Sequence, residues 1–411
     1  MEARTGAEAE IDVDDGAVGV YLHLPFCERI CPYCDFAVVA ARRLESVIEA
    51  DYVAVLCREL SARKGDFAGR TLASLYLGGG TPSLFQPGSI QFLKEAVDAA
   101  FPSREREVEV TLELNPGTLE ESRLPAFREA GVNRLSIGVQ SFDDAQLKRL
   151  GRAHRVEVVE TTLALARGVG FDNLSIDLIF AAPGQDEAAL DRDLDALLRF
   201  GPEHVSTYEL TWEPGTPFGR ALAEGRMTPC DEDRAADMIG RIEARMESEG
   251  YERYEISSYA RPGFRARHNA RYWQRQAVLG LGMGAHSTEA RTSVHPHGAR
   301  RANPRELAAW RLAAEREPAR CGQEERIDAA TARGEAVFLA LRQREGLSAR
   351  RFEAEFGGDP RRFFSPQIEA MAGRGWLLEE AGGDLRLSPS GRLFADSVAA
   401  EFVGAEEGGA V

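Results

Sequence analysis

Residues 18–36 read Val18-Gly19-Val20-Tyr21-Leu22-His23-Leu24-Pro25-Phe26-Cys27-Glu28-Arg29-Ile30-Cys31-Pro32-Tyr33-Cys34-Asp35-Phe36. An apolar run from Val18 to Leu24 predicts a buried strand. Directly after it, Cys27-x3-Cys31-x2-Cys34 puts three thiols on one tight loop. The chain has only six cysteines in 411 residues, too few for a secreted disulfide framework, so this cluster points to metal in a reducing compartment. Three thiolates match three corners of a [4Fe–4S] cube and leave one iron open to a further ligand. Tetrahedral zinc with His23 as fourth ligand is the competing reading. Zinc sites use CxxC pairs more often, and His23 falls within the strand. Pro32, Tyr33 and Phe36 supply a dry wall around the metal.

Working outward, apolar runs recur at Val18–Leu24, Leu72–Leu77, Val108–Leu112, Arg134–Val139, Leu174–Phe180 and His204–Leu210. Helical-period stretches separate them; Leu44, Val47, Ile48, Val55, Leu56 and Leu60 form one such apolar stripe. Six β-then-α units in series demand right-handed crossovers and a parallel sheet, either a barrel or a doubly wound open sheet. Polar or glycine features mark the strand ends: Cys27, Gly78-Gly79-Gly80-Thr81, Glu113 with Asn115, Gln140, Asp177, and Tyr208 with Glu209. A (β/α) barrel gathers its active site at that face, which favours the barrel.

Length divided by ~150 residues per domain predicts two to three domains. Fifty Lys and Arg against 66 Asp and Glu leave a net charge of −16, which argues against a nucleic-acid partner. Residues 1–17 read as an acidic, disordered tail, with six acids and the single base Arg4 in the first fifteen. No apolar run approaches the ~20 residues that span a bilayer, and no signal peptide opens the chain, so a cytoplasmic location is expected. Residues 18–250 form the predicted barrel core and 251–330 a connecting region. In the core, Thr228-Pro229-Cys230-Asp231 reads as the cap of a helix. In the connecting region, a short strand is expected near Tyr254–Ile256 and a loop over Arg291–Pro304. Residues 331–411 read as three helices and a hairpin, a winged-helix-like domain whose shape alone does not imply DNA binding.

The string from Tyr21 to Phe36 resembles the signature of the radical S-adenosylmethionine superfamily, in the subgroup holding oxygen-independent coproporphyrinogen III oxidases and heme chaperones. The resemblance implies an α/β fold, a partial (β/α)6 radical-SAM barrel with a C-terminal α+β winged-helix-like domain. It implies a [4Fe–4S] cluster on Cys27, Cys31 and Cys34, and S-adenosylmethionine contacts at Tyr21, Phe36, Gly79, Gly80, Thr81, Glu113, Gln140, Arg152 and Asp177. Singly, each has a plainer reading: Gly78–Gly80 as a turn, Arg152 as a solvated cation, Asp177 as a capped core acid. In the oxidases a fourth cysteine is expected where Phe36 stands. His268-Asn269-Ala270-Arg271-Tyr272-Trp273 resembles the HNxxYW motif of the heme chaperone group, which implies heme contacts at His268, Tyr272 and Trp273. A surface histidine beside a packed Tyr-Trp pair is the alternative. The expected function is a heme carrier that passes heme to membrane-bound respiratory proteins, peripheral to the inner membrane through those partners and able to dimerise. A coproporphyrinogen dehydrogenase that decarboxylates two propionates is the second expectation. Cys57 reads as core, and Cys230 and Cys321 as incidental.

Overall fold

A computed structural model describes residues 14–404. Six strands form in series: β1 (Ala17–Leu24), β2 (Thr71–Gly79), β3 (Arg104–Leu114), β4 (Arg134–Gln140), β5 (Leu174–Phe180) and β6 (His204–Glu209). They pair in parallel and in chain order, β1-β2-β3-β4-β5-β6. Helices α1 (Ser46–Arg63), α2 (Pro87–Ala100), α3 (Thr118–Glu129), α4 (Val156–Gly168), α5 (Glu187–Phe200) and α6 (Glu232–Ser248) alternate with them. Sequential parallel order with a helix after each strand makes a partial (β/α)6 barrel.

The expected stripe of α1 shifts. Tyr52, Val53, Val55, Leu56 and Leu60 are buried, whereas Val47 and Ile48 in the first turn are exposed. Helix α6 starts later than Thr228-Pro229 suggests: Asp231 is the cap, its carboxylate accepting from the Arg234 N–H at 3.2 Å.

The stretch from 251 to 330 does not merely connect; its strands extend the barrel sheet at both ends. β7 (Ser258–Ala260) runs antiparallel to β6, and β8 (Val278–Leu281) runs parallel to β1. β9 (His286–Glu289), β10 (Ala299–Ala302) and β11 (Gln323–Arg326) then follow antiparallel from β8. Two expectations are corrected here. Tyr254–Ile256 is a turn between Glu252–Arg253 and β7, held by Arg253 donating to the Glu255 and Ile256 carbonyls at 3.2 and 2.7 Å. The supposed loop Arg291–Pro304 contains β10, whose Arg-rich sequence conceals its partners on either side.

One core runs from Val18 to Cys321, and a second joins Val337 to Phe402. The second holds helices Ala329–Leu341, Ala349–Phe356 and Pro360–Gly373 and the antiparallel pair Leu377–Glu379 with Leu385–Leu387, the winged-helix-like arrangement. Cys321 is fully buried beneath Trp310, so it is a packing residue rather than an incidental one. Most of the acidic tail lies outside the described residues. Asp14 and Asp15 depart from the expected disorder: half-exposed and exposed, they pair with Arg70 and Arg271 beside the start of β1.

Candidate functional site

All six barrel strands line one cavity of about 720 Å³, within the size range of small-molecule sites. Tyr21 and His23 come from β1, Gly79 from β2, Glu113 from β3, Gln140 from β4, Asp177 from β5 and Tyr208 from β6. Period-2 alternation explains the geometry, because residues two apart on a strand face the same side.

The cysteine loop lies at the mouth. A short parallel ladder, Phe26–Cys27 with Val39–Ala40, closes its base, and the Cys34 N–H donates to the Cys31 carbonyl at 3.1 Å. Thr81 Oγ1 donates toward Cys27 Sγ at 3.7 Å, and Arg152 Nη1 donates to Cys31 Sγ at 3.4 Å. Arg152 is therefore not a solvated cation. It also donates to the Gly138 carbonyl at 2.9 Å and to Asn115 Oδ1, and its Nε is buried with no partner among the described residues. Burial pushes the Cys27 thiol up to about 11 and raises that of Cys34, so both are protonated near neutrality. Among the described residues no three His, Cys, Asp or Glu side chains converge on a single metal position, and the cysteines are free thiols. A cube spreads its thiolates over separate corners rather than drawing them to one point. The donor set fits it: three loop thiols, with a guanidinium beside one of them.

The β2 turn supplies the cradle. Gly79 has φ +110°, a conformation that favours glycine, and its N–H donates to Glu113 Oε2 at 2.9 Å. A Cβ there would come within 2.5 Å of the His23 ring, and one on Gly80 within 2.6 Å of the Pro25 carbonyl carbon. The turn is thus filled to its limit on its protein side; Gly79 lines the cavity, while Gly80 and Thr81 lie behind that lining. Tyr76 donates to the other oxygen of Glu113 at 2.7 Å. Burial pushes the Glu113 carboxyl up to about 7 and Asp177 to about 6, partly offset by the Arg134 guanidinium. Gln140 lies at positive φ, +69°, at the end of β4. Phe36 is 72% exposed at the rim, so it can touch only what enters the mouth. Arg134 and Tyr76 line the cavity but escaped the sequence reading. An arginine at the start of a strand reads as a boundary, and a tyrosine in an apolar run reads as core.

His268 departs most from expectation. Helix α7 (Arg267–Trp273) carries it into the barrel, with the Arg267 and His268 N–H groups capped by the Glu109 carboxylate at 3.0 Å each. Its ring is 1% exposed, packed beside Tyr21 and Tyr76. Nδ1 bonds Ser74 Oγ at 2.9 Å and Nε2 the Tyr272 hydroxyl at 3.3 Å. Burial pushes its imidazole down to about 3, so the ring is neutral. It is not a surface histidine, and in this arrangement neither ring nitrogen is open to an iron. Tyr272 does line the cavity, and Trp273 faces a neighbouring groove.

Comparison with known proteins agrees with this architecture. A radical SAM superfamily model matches residues 21–197, and a HemN C-terminal domain model matches 327–394. The solved coproporphyrinogen III oxidase HemN of Escherichia coli superposes with TM-score 0.80 at 21% identity, over 96% of this chain and 92% of that one, a likeness of fold. Heme chaperone HemW of Escherichia coli is 38% identical over 66% of this chain and 69% of its own. Heme chaperone HemW of Bacillus subtilis is 32% identical over 93% of this chain and 98% of its own. Matched across nearly that whole relative, the chain belongs to the HemW family of radical SAM proteins.

Proposed function

We propose that this protein is a heme chaperone that holds a [4Fe–4S] cluster on Cys27, Cys31 and Cys34, binds S-adenosylmethionine in the barrel cavity, and delivers heme to membrane-bound respiratory apoproteins. The observation that carries the reading is the end-to-end likeness to the Bacillus subtilis heme chaperone. Phe36, where the oxidases are expected to carry a further cysteine, points the same way.

When bound, the cluster and S-adenosylmethionine supply one-electron reducing chemistry. The chain's residues do the rest. Arg152 stabilises the Cys31 thiolate by a charge-assisted hydrogen bond. Gly79 lets backbone approach the methionyl end, with Gly80 packed on the Pro25 backbone behind it, while Glu113, Gln140 and Asp177 offer acceptors to an ammonium and to ribose hydroxyls. Tyr21 and Tyr76 exclude water from the barrel interior beneath them. Heme contacts fall to the α7 motif. Ligation by His268 needs Nε2 to leave the Tyr272 hydroxyl, while Asn269, Tyr272 and Trp273 of the motif line the cavities.

Anaerobic reconstitution, hemin titration and a coproporphyrinogen assay on one sample test the proposal. Stoichiometric heme binding without formation of protoporphyrinogen supports the carrier. Sustained decarboxylation identifies a coproporphyrinogen dehydrogenase instead. Unchanged heme binding by His268→Ala removes that residue from ligation.

A further inference from the structure

A second hollow of about 670 Å³ lies between the barrel edge at β6 and the C-terminal unit. It shares Tyr208, Glu209, Leu210, Thr211 and Asn269 with the barrel cavity, so the two form one continuous trough that bends past α7. The halves differ in chemistry. The barrel floor presents Glu113 and Asp177, which disfavour a dianion. The interdomain half is lined by the apolar side chains of Trp212, Ile239, Ile256, Trp273, Leu393 and Phe394. Leu393 and Phe394 are 42% and 45% exposed, an unusual state for two adjacent large apolar residues.

Two guanidiniums stand at this groove with a donor to spare. Arg342 pairs with Asp396 and lies 5.2 Å over the Trp273 ring, while Arg392 donates to Glu243 at 2.6 Å. The Nε of each is buried and has no partner among the described residues. Glu209, Glu255 and Asp396 also line the groove, so its attraction for an anion comes from those unpartnered Nε donors, freed as the guanidiniums turn toward the ligand, rather than from net charge. A buried donor without an acceptor costs free energy that an incoming carboxylate recovers.

We propose that the interdomain groove, rather than the barrel cavity, is the docking site of the carried macrocycle: a flat apolar ring lies between the β6 edge and Leu393–Phe394, and its two carboxylates take the idle donors of Arg342 and Arg392. This rests on the heme-carrier reading and names the place and the recognition chemistry of its cargo. Propionates, not iron, set the docking, so a metal-free porphyrin diacid binds there too.

The test titrates full-length, cluster-loaded protein with hemin, with metal-free protoporphyrin IX and with its dimethyl ester, following absorbance and porphyrin fluorescence. The diacid is expected to bind about tenfold or more tighter than the ester, the difference made by charge-assisted carboxylate bonds. The Arg342→Gln/Arg392→Gln double variant is expected to lose that preference while keeping its affinity for S-adenosylmethionine. Phe394→Glu is expected to weaken both porphyrins. Equal affinity for diacid and ester in the unaltered protein overturns the placement, and needs no variant to fold. So does a double variant that binds hemin undiminished. Failure of the unaltered protein to bind hemin at all sinks the carrier reading instead.

Discussion

Gly80 shows how tightly the turn after β2 is built. Its N–H donates to the Leu24 carbonyl at 3.0 Å, and the space where a side chain would go is occupied by Pro25 backbone 2.6 Å away. Backbone cannot rotate aside as a side-chain tip can. Gly80→Ala is therefore expected to cost about 1–3 kcal/mol, read as a lower urea midpoint, and to weaken S-adenosylmethionine binding in equilibrium dialysis. Glu113 makes a different kind of prediction. With burial holding its folded-state carboxyl at about 7, above the ordinary 4.5, the unfolded chain releases this proton first as pH rises. Stability present below pH 4.5 is then lost as pH climbs toward 7, and the loss is constant above that. Asp177, raised to about 6 by burial, acts in the same direction. Thermal midpoints measured from pH 4 to 8 are expected to fall less steeply in Glu113→Gln than in the unaltered protein.

The elements differ in how plainly they can be read from sequence. The core strands were legible because parallel strands buried on both faces are near-continuous apolar runs, and β5 falls at Leu174–Phe180 as read. β2 and β3 run beyond their apolar stretches, since polar residues such as Arg104 still pair in the ladder, while β6 stops at Glu209, just short of Leu210. The glycines, Glu113 and Asp177 were legible as interruptions at successive strand ends. Helix α7 was not. Only seven residues long, it is fixed by Glu109, 159 positions away from His268, and no local pattern announces a cap supplied from across the barrel. The same distance effect hid β10 and β11, whose sequences are charged and whose strand identity comes from each other. Burial of His268 has a measurable price at Ser74. Ser74→Ala leaves Nδ1 in the interior without its partner, and is expected to cost about 1–3 kcal/mol in chemical denaturation with an unchanged m-value.

Across the whole molecule, two cores must be held in register for the trough between them to keep its shape. Glu243 of α6 is a central tie, accepting from Arg253 at 3.3 Å and from Arg392 of the C-terminal unit at 2.6 Å. Gln343 adds a bond to the Trp273 carbonyl at 3.2 Å. Glu243→Gln is expected to lower stability by about 1–3 kcal/mol, as partly buried paired charges do, and to broaden or split the calorimetric transition as the units uncouple. The rim of the long sheet carries a separate lesson. Its outermost strand, Gln323–Arg326, is exposed at every position and reads Gln-Glu-Glu-Arg, with Glu324 and Glu325 tied inward to Arg301 and Arg300. The opposite rim ends in the two-residue strand Glu252–Arg253. Two copies brought rim to rim thus meet charged or truncated borders instead of open templates for strand pairing.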